Sequence, residues 1–168
     1  VALILACLFA AGCGGAGRVP PPSKSVKLDD EDYRLVWPLP IVTVARLTSG
    51  FGPRTDPVSG MRSFHTGVDI DGETGTPVHA AGAGEVVYSG ERSGYGLLII
   101  VDHGRGLVTY YGHCSRLLRS RGKRVGRGEV IALIGDTGRT TGSHLHFETR
   151  KHGQPVDPLL LLPKLKAV

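Results

Sequence analysis

The chain has 168 residues, room for one domain with a proper core and one or two short appendages. Its 25 glycines, 11 prolines and 6% aromatic content imply many tight turns and favour a turn-rich all-β protein over a helical one. The net charge of +5 admits nucleic acid, anionic lipid or an anionic polymer such as a cell wall without choosing among them. Its three cysteines (Cys7, Cys13 and Cys114) form no C-x-x-C pair, which excludes a zinc knuckle and a thioredoxin-like motif.

Residues 1–12 are almost wholly apolar, too short to span a bilayer as a mature helix but suited to the hydrophobic region of a signal peptide. Ala10-Ala11-Gly12-Cys13 resembles a bacterial lipobox, with Ala10 where Leu is usual. The expectation is a signal peptide over residues 1–12 and lipidation of Cys13, against ordinary secretion or a plain anchor. Cleavage there would leave Cys114 alone, so the mature domain would carry no internal disulfide despite an oxidising compartment. Residues 13–36 read as a tether: Pro20 to Pro22 favour an extended spacer, and the acidic run Asp29 to Asp32 a solvated one. The arrangement places the domain in the cell envelope, held off a membrane by its lipid anchor.

From Trp37 short apolar runs alternate with glycine-bearing turns, and the domain is expected over residues 37–162, with a tail over 163–168. The predicted strands are Leu47–Phe51, Gly84–Ser89, Leu97–His103, Leu107–His113, Glu129–Ile134 and His144–Thr149, rich in Val, Ile, Leu and Tyr and bounded by Gly, Asp and Pro. Gly104-Arg105-Gly106 joins two of them as a hairpin. Only Arg116–Arg121 hints at a helical period. The fold class is therefore all-β, antiparallel sheets in a rolled sandwich with few short helices.

Chemistry concentrates in His65-Thr66-Gly67-Val68-Asp69 and His144-Leu145-His146. On a strand, His144 and His146 share one face, with Leu145 and Phe147 opposite. His65 and Asp69 on a straight strand would lie about 13 Å apart, too far to share an ion. Gly67 permits a bend that brings both inward; a helix would also align them but suits the glycine and β-branched neighbours poorly. Three side chains from this set can hold one zinc ion, which in catalytic sites takes three protein ligands and a water. The fourth imidazole is then left over as a base. Either motif alone is ordinary, since His usually titrates on a surface or bonds in a core. Both together are also compatible with a structural zinc.

Five segments in order resemble one family. They are F-G-P-R-T-D-P-V-S-G (Phe51–Gly60), F-H-T-G-V-D-I (Phe64–Ile70), G-T-P-V-H-A-A-G-A-G-E-V (Gly75–Val86), Y-Y-G-H (Tyr110–His113) and G-S-H-L-H-F-E (Gly142–Glu148). They are similar to the lysostaphin-type, or LytM-like, zinc endopeptidases of bacterial cell walls. The resemblance implies a LytM-like fold, one zinc ion on His65, Asp69 and His146, and His113 and His144 flanking the attacking water as general base and as stabiliser of the oxyanion or leaving group. It implies hydrolysis of peptide cross-links in peptidoglycan. Some members of the family lack metal-site residues and activate separate amidases, so a non-enzymatic regulator or wall-binding module is the alternative. All five site residues are present here, which favours the enzyme.

The remaining features take plainer readings. His79 sits where the family tolerates many residues, His103 ends a strand, and His152 lies in the turn Lys151-His152-Gly153-Gln154. Cys114 stands where the family usually has an apolar residue and is expected to face the core, away from His113. Arg116, Arg119, Arg121, Lys123, Arg124 and Arg127 read as a solvated loop or short helix, or as a dock for anionic polymer. No nucleic-acid-binding motif accompanies them, so nucleic acid is excluded as a partner. Gly135–Gly142 follows no phosphate-loop pattern and reads as a loop at the rim of a cleft. Thr55–Ser63 and Ser89–Tyr95 are the other loops expected around it.

Overall fold

Twelve strands and one 3-10 turn make up the described part of the chain, residues 35–40 and 46–164 of a computed structural model. The expected signal segment, Cys13 and most of the tether lie outside the described residues. The strands are β1 (Leu47–Ser49), β2 (Gly52–Thr55), β3 (Arg62–His65), β4 (Val68–Asp71), β5 (Pro77–His79), β6 (Gly84–Arg92), β7 (Gly96–Asp102), β8 (Leu107–Leu117), β9 (Arg124–Val125), β10 (Val130–Ile134), β11 (His144–Lys151) and β12 (Gln154–Val156). The 3-10 turn is Pro158–Leu160, capped by the Asp157 side chain. The expected fold class holds. The helical hint at Arg116–Arg121 does not: β8 runs through Leu117 and a turn follows, because Arg116 and Leu117 pair with β10.

All the pairings are antiparallel. The main sheet runs β1-β4-β11-β8-β7-β6-β9, with β10 joining β8 to β5 and β12 flanking β11, while β2 and β3 form a separate hairpin. β8 sets the roll. Leu107 to Gly112 pair with β11, whereas Cys114 to Leu117 pair with β10. The handover falls at His113, where β8 gains a residue relative to β7: Tyr111 faces Ile99 and Cys114 faces Leu97, leaving Gly112 and His113 opposite Leu98 alone. A bulge of this kind bends a strand and re-aims its side chains.

The core lies under this bend. Val68, Ile70, Ile99, Val101, Tyr111, Leu145 and Phe147 are fully buried, each such aliphatic or aromatic side chain contributing roughly 1.5–3 kcal/mol. Cys114 is in the same cluster, as expected. Packing begins before Trp37: Leu35 is buried, and Val36 N–H donates to Ala81 O at 2.8 Å. The β7–β8 hairpin is the one expected; Gly104, Arg105 and Gly106 all take left-handed backbone conformations, with φ of 82°, 50° and 77°.

Candidate active site

Asp69 on β4 and His146 on β11 lie directly opposite each other in the sheet, and His65 ends β3, with two residues between it and the start of β4. The chain does bend between His65 and Asp69, but Gly67 serves it differently from the expectation. Its backbone is not left-handed. A Cβ at Gly67 would instead run into Phe147 O and come within 2.9 Å of Glu148 Cγ, so glycine is there to let the β3–β4 connection press against β11.

His65, Asp69 and His146, all buried, each offer one donor atom to a common point, within 4.8 Å of one another. His65 Nε2 is 3.1 Å from His146 Nδ1 and 3.2 Å from Asp69 Oδ1, and His146 Nδ1 is 2.8 Å from that same oxygen. The outer ring nitrogens fix the tautomers. His65 Nδ1 lies 2.8 Å from Gly50 O, and His146 Nε2 lies 3.0 Å from Glu148 Oε1. A carbonyl and a carboxylate only accept, so each of those nitrogens carries the proton. Two imidazole lone pairs and a carboxylate oxygen therefore converge, an all-acceptor cluster that suits a cation. The spacings approach the ~3.3 Å between corners of a tetrahedral zinc site. These residues fit zinc.

The surroundings strengthen that character. Burial opposes charge on Asp69, yet the imidazoles of His144, His146 and His65 around it hold its carboxyl far below the usual range. Burial also opposes a proton on His146, but Asp69 and Glu148 outweigh it and push the imidazole up to about 9. A metal ion and a proton thus compete for the same nitrogen. Asp69 Oδ2 accepts from Arg54 Nη1 at 3.0 Å, which turns Oδ1 toward the histidines. Glu148, with no exposure, accepts from Thr66 Oγ1 at 2.6 Å, Tyr95 OH at 2.7 Å and Arg150 Nε at 2.7 Å as well as from His146.

Two further imidazoles face this cluster. The His113 and His144 rings are 4.8 Å apart between centroids, and His113 is 5.8 Å from His146. His144 Nδ1–H donates to Gly142 O at 2.9 Å, which leaves Nε2 toward the cluster, 3.5 Å from Asp69 Oδ1. His113 occupies the bulge with φ of 60°, a left-handed conformation uncommon for a non-glycine residue. Thr137 holds it there. Its carbonyl accepts from His113 Nδ1 at 2.7 Å, while its hydroxyl donates to Cys114 O at 2.7 Å and accepts from Leu97 N at 2.9 Å. Burial pushes His113 down to about 4, so it is neutral near pH 7, with a free lone pair on Nε2.

The match to known families falls on these strands. The model for "Peptidase family M23" covers residues 63–158, more than half of the chain. The chain belongs to peptidase family M23. It is 38% identical over 135 residues to DD-carboxypeptidase/endopeptidase Mpg of Neisseria meningitidis, covering 77% of this chain and 31% of that protein. It is 48% identical over 103 residues to the lipoprotein NlpD/LppB homolog of Pseudomonas aeruginosa, covering 61% of this chain and 34% of that one. The chain thus spans about a third of the length of these relatives. A crystal structure of a zinc-containing peptidase from Vibrio cholerae superposes with a TM-score of 0.66 at 36% identity, over 77% of this chain and 40% of that chain.

The histidine–aspartate cluster opens on a cleft of about 540 Å³. Its walls include Thr55 to Val58 from the β2–β3 turn, Gly94 and Tyr95 from the β6–β7 turn, and Arg139 to Thr141 from the loop before β11. Gly90 to Arg92, expected as loop, instead belong to β6, and only the hairpin tip reaches the cleft. The other histidines lie elsewhere. His103 bonds Ala83 O and Thr109 Oγ1, His79 on β5 pairs with Val130 of β10, and His152 packs beneath Gly106. Sequence reasoning missed Arg54, Tyr95, Thr137 and Glu148. Glu148 alone had a signal: the alternation that puts His144 and His146 on one face continues to it.

Proposed function

We propose that this domain is a zinc endopeptidase that hydrolyses amide bonds in peptidoglycan cross-links, with His65, Asp69 and His146 as metal ligands. The supporting observation is the all-acceptor trio, backed by two imidazoles whose Nδ1–H groups are tied to backbone carbonyls, which leaves the lone pair of each ring on Nε2. Zinc held there would polarise the scissile carbonyl and acidify water. His144 and His113 are positioned to manage protons. Each presents Nε2 to the cleft, and the ring that takes the proton of the attacking water becomes a donor able to return it to the leaving amine. Glu148 and Gly50 O keep the ligand histidines in the tautomers that face the metal. The similarities to an endopeptidase and to a lipoprotein support an envelope location with Cys13 as the lipid anchor, the peptidase domain following a tether.

The test is solubilisation of purified peptidoglycan by the domain, with zinc and with a chelator, and mass spectrometry of the released fragments. Zinc-dependent release of peptide-cleaved fragments supports the reading. A second reading, activation of a separate amidase, draws on the 48% identity to the NlpD/LppB homolog. It takes over if zinc-loaded protein releases nothing from any wall preparation while stimulating an amidase.

A further inference from the structure

The cleft does not end at the histidines. A second cavity of about 530 Å³ adjoins it, walled by Glu91, Arg92 and Ser93. Val58, Gly94, Arg139 and Thr140 line both cavities. Arg139 therefore stands at the passage between them. Its backbone N–H donates to Gly94 O at 3.0 Å, which fixes the loop, and the next residue, Thr140, lies 3.2 Å from His144 Nδ1 through Oγ1.

The guanidinium is half exposed and already holds a carboxylate: Nη2 donates to Asp56 Oδ1 at 2.7 Å across the mouth of the cleft. Among the described residues this is the hydrogen bond its side chain makes, so four of its five N–H donors have no protein partner there. Asp56 does not depend on it. The same oxygen accepts from Ser59 N at 2.7 Å, Val58 N at 3.0 Å and Ser59 Oγ at 3.0 Å. An exposed pair of this kind is weak, and a peptide carboxylate offering two oxygens can displace it with a two-pronged contact.

We propose that Arg139 is a substrate-binding residue that takes a free carboxylate of the cross-linked peptide where the chain passes from the catalytic cleft into the second cavity. This rests on the peptidase reading and adds a specificity to it: the enzyme prefers peptides with an ionised carboxylate near the scissile amide over the same peptides with a carboxamide. Asp56 occupies Arg139 when no substrate is present.

The test uses two synthetic cross-linked peptides, identical except that free carboxylates in one are carboxamides in the other. Zinc-loaded wild-type protein should show kcat/KM at least tenfold higher on the carboxylate form, mostly through KM. Arg139→Gln should bring the two KM values together with much less change in kcat. Arg139→Lys, which keeps charge but loses the fork, should fall between. Equal wild-type rates on both peptides, or an Arg139→Gln variant that slows both alike, would overturn the assignment and leave the peptidase reading standing. If the wild type cuts neither, the peptidase reading fails. Calorimetry then decides Arg139 by itself: tighter binding of the carboxylate peptide, lost in Arg139→Gln, supports it, and equal binding overturns it.

Discussion

Replacing one oxygen of Glu148 tests how the metal cluster is supported. The carboxylate is fully buried and meets His146, Thr66 and Tyr95 on Oε1 and Arg150 on Oε2. Glu148→Gln puts an NH2 group against a donor whichever way the amide turns. With its oxygen toward His146, the amide nitrogen faces the Arg150 guanidinium and strips it of its counter-charge. Removing one partner of a buried pair costs about 3–5 kcal/mol. Arg150 keeps 17% exposure and lies 4.5 Å over the Tyr110 ring, which favours the low end, about 3 kcal/mol. Titration gives a similar size. Burial raises the Glu148 pKa, but His146, Arg150 and Thr66 outweigh it and hold it at about 2, against 4.5 in a free carboxyl. At ~1.4 kcal/mol per unit that difference is about 3 kcal/mol, present above pH 4.5 and lost as pH falls toward 2. Wild-type unfolding free energy should therefore drop steeply over that window. The variant should start about 3 kcal/mol lower at pH 7 and fall less. Its zinc affinity, measured against a chromophoric chelator, should weaken by roughly 10–100-fold. A folded variant with wild-type zinc affinity and wild-type acid sensitivity would refute this account of Glu148.

Three other outcomes follow from individual contacts. Gly67→Ala should force β4 and β11 apart, costing about 2–3 kcal/mol and roughly 10 °C of melting temperature; an unchanged melting curve would show that the crowding at Phe147 O is relieved cheaply. Thr137→Val should leave zinc content intact and lower kcat about tenfold through loss of two ordering bonds at the His113 bulge, with Thr137→Ser restoring it; undiminished kcat in the valine variant would remove Thr137 from His113 positioning. Burial pushes the Cys114 thiol up to about 12, against 9.0 when free. The folded protein should resist thiol reagents at pH 8. Its stability should decline as pH rises from 9 to 12, by up to about 4 kcal/mol, and Cys114→Ala should lack that component.

Long runs of Val, Ile and Leu between glycine turns announced β6, β7, β8, β10 and β11, and the β7–β8 hairpin was legible in Gly104-Arg105-Gly106. The strands that escaped notice were short or polar: β3 is Arg-Ser-Phe-His, β5 has three residues and β9 two. Such segments are too short to show a sustained alternation and become strands because longer neighbours offer them hydrogen bonds. At the site, alternation placed His144 and His146 on one face, and motif resemblance supplied the division of labour. His113 could not have been placed by periodicity, because the bulge that aims it exists only in the pairing of β8 with β7, β11 and β10. Arg54 and Thr137 act through atoms brought together across the fold, from 15 and 24 residues away in sequence. No local pattern marks them.

The most direct measurement of the central claim pairs His146→Ala with His144→Ala, each assayed for bound zinc by elemental analysis and for turnover on purified peptidoglycan. His146→Ala should lose both zinc and activity, whereas His144→Ala should retain one zinc per chain and lose turnover by two or more orders of magnitude, as expected for removal of a general base. Zinc retained by His146→Ala, or full activity in His144→Ala, would contradict the division of the cluster into metal ligands and proton carriers.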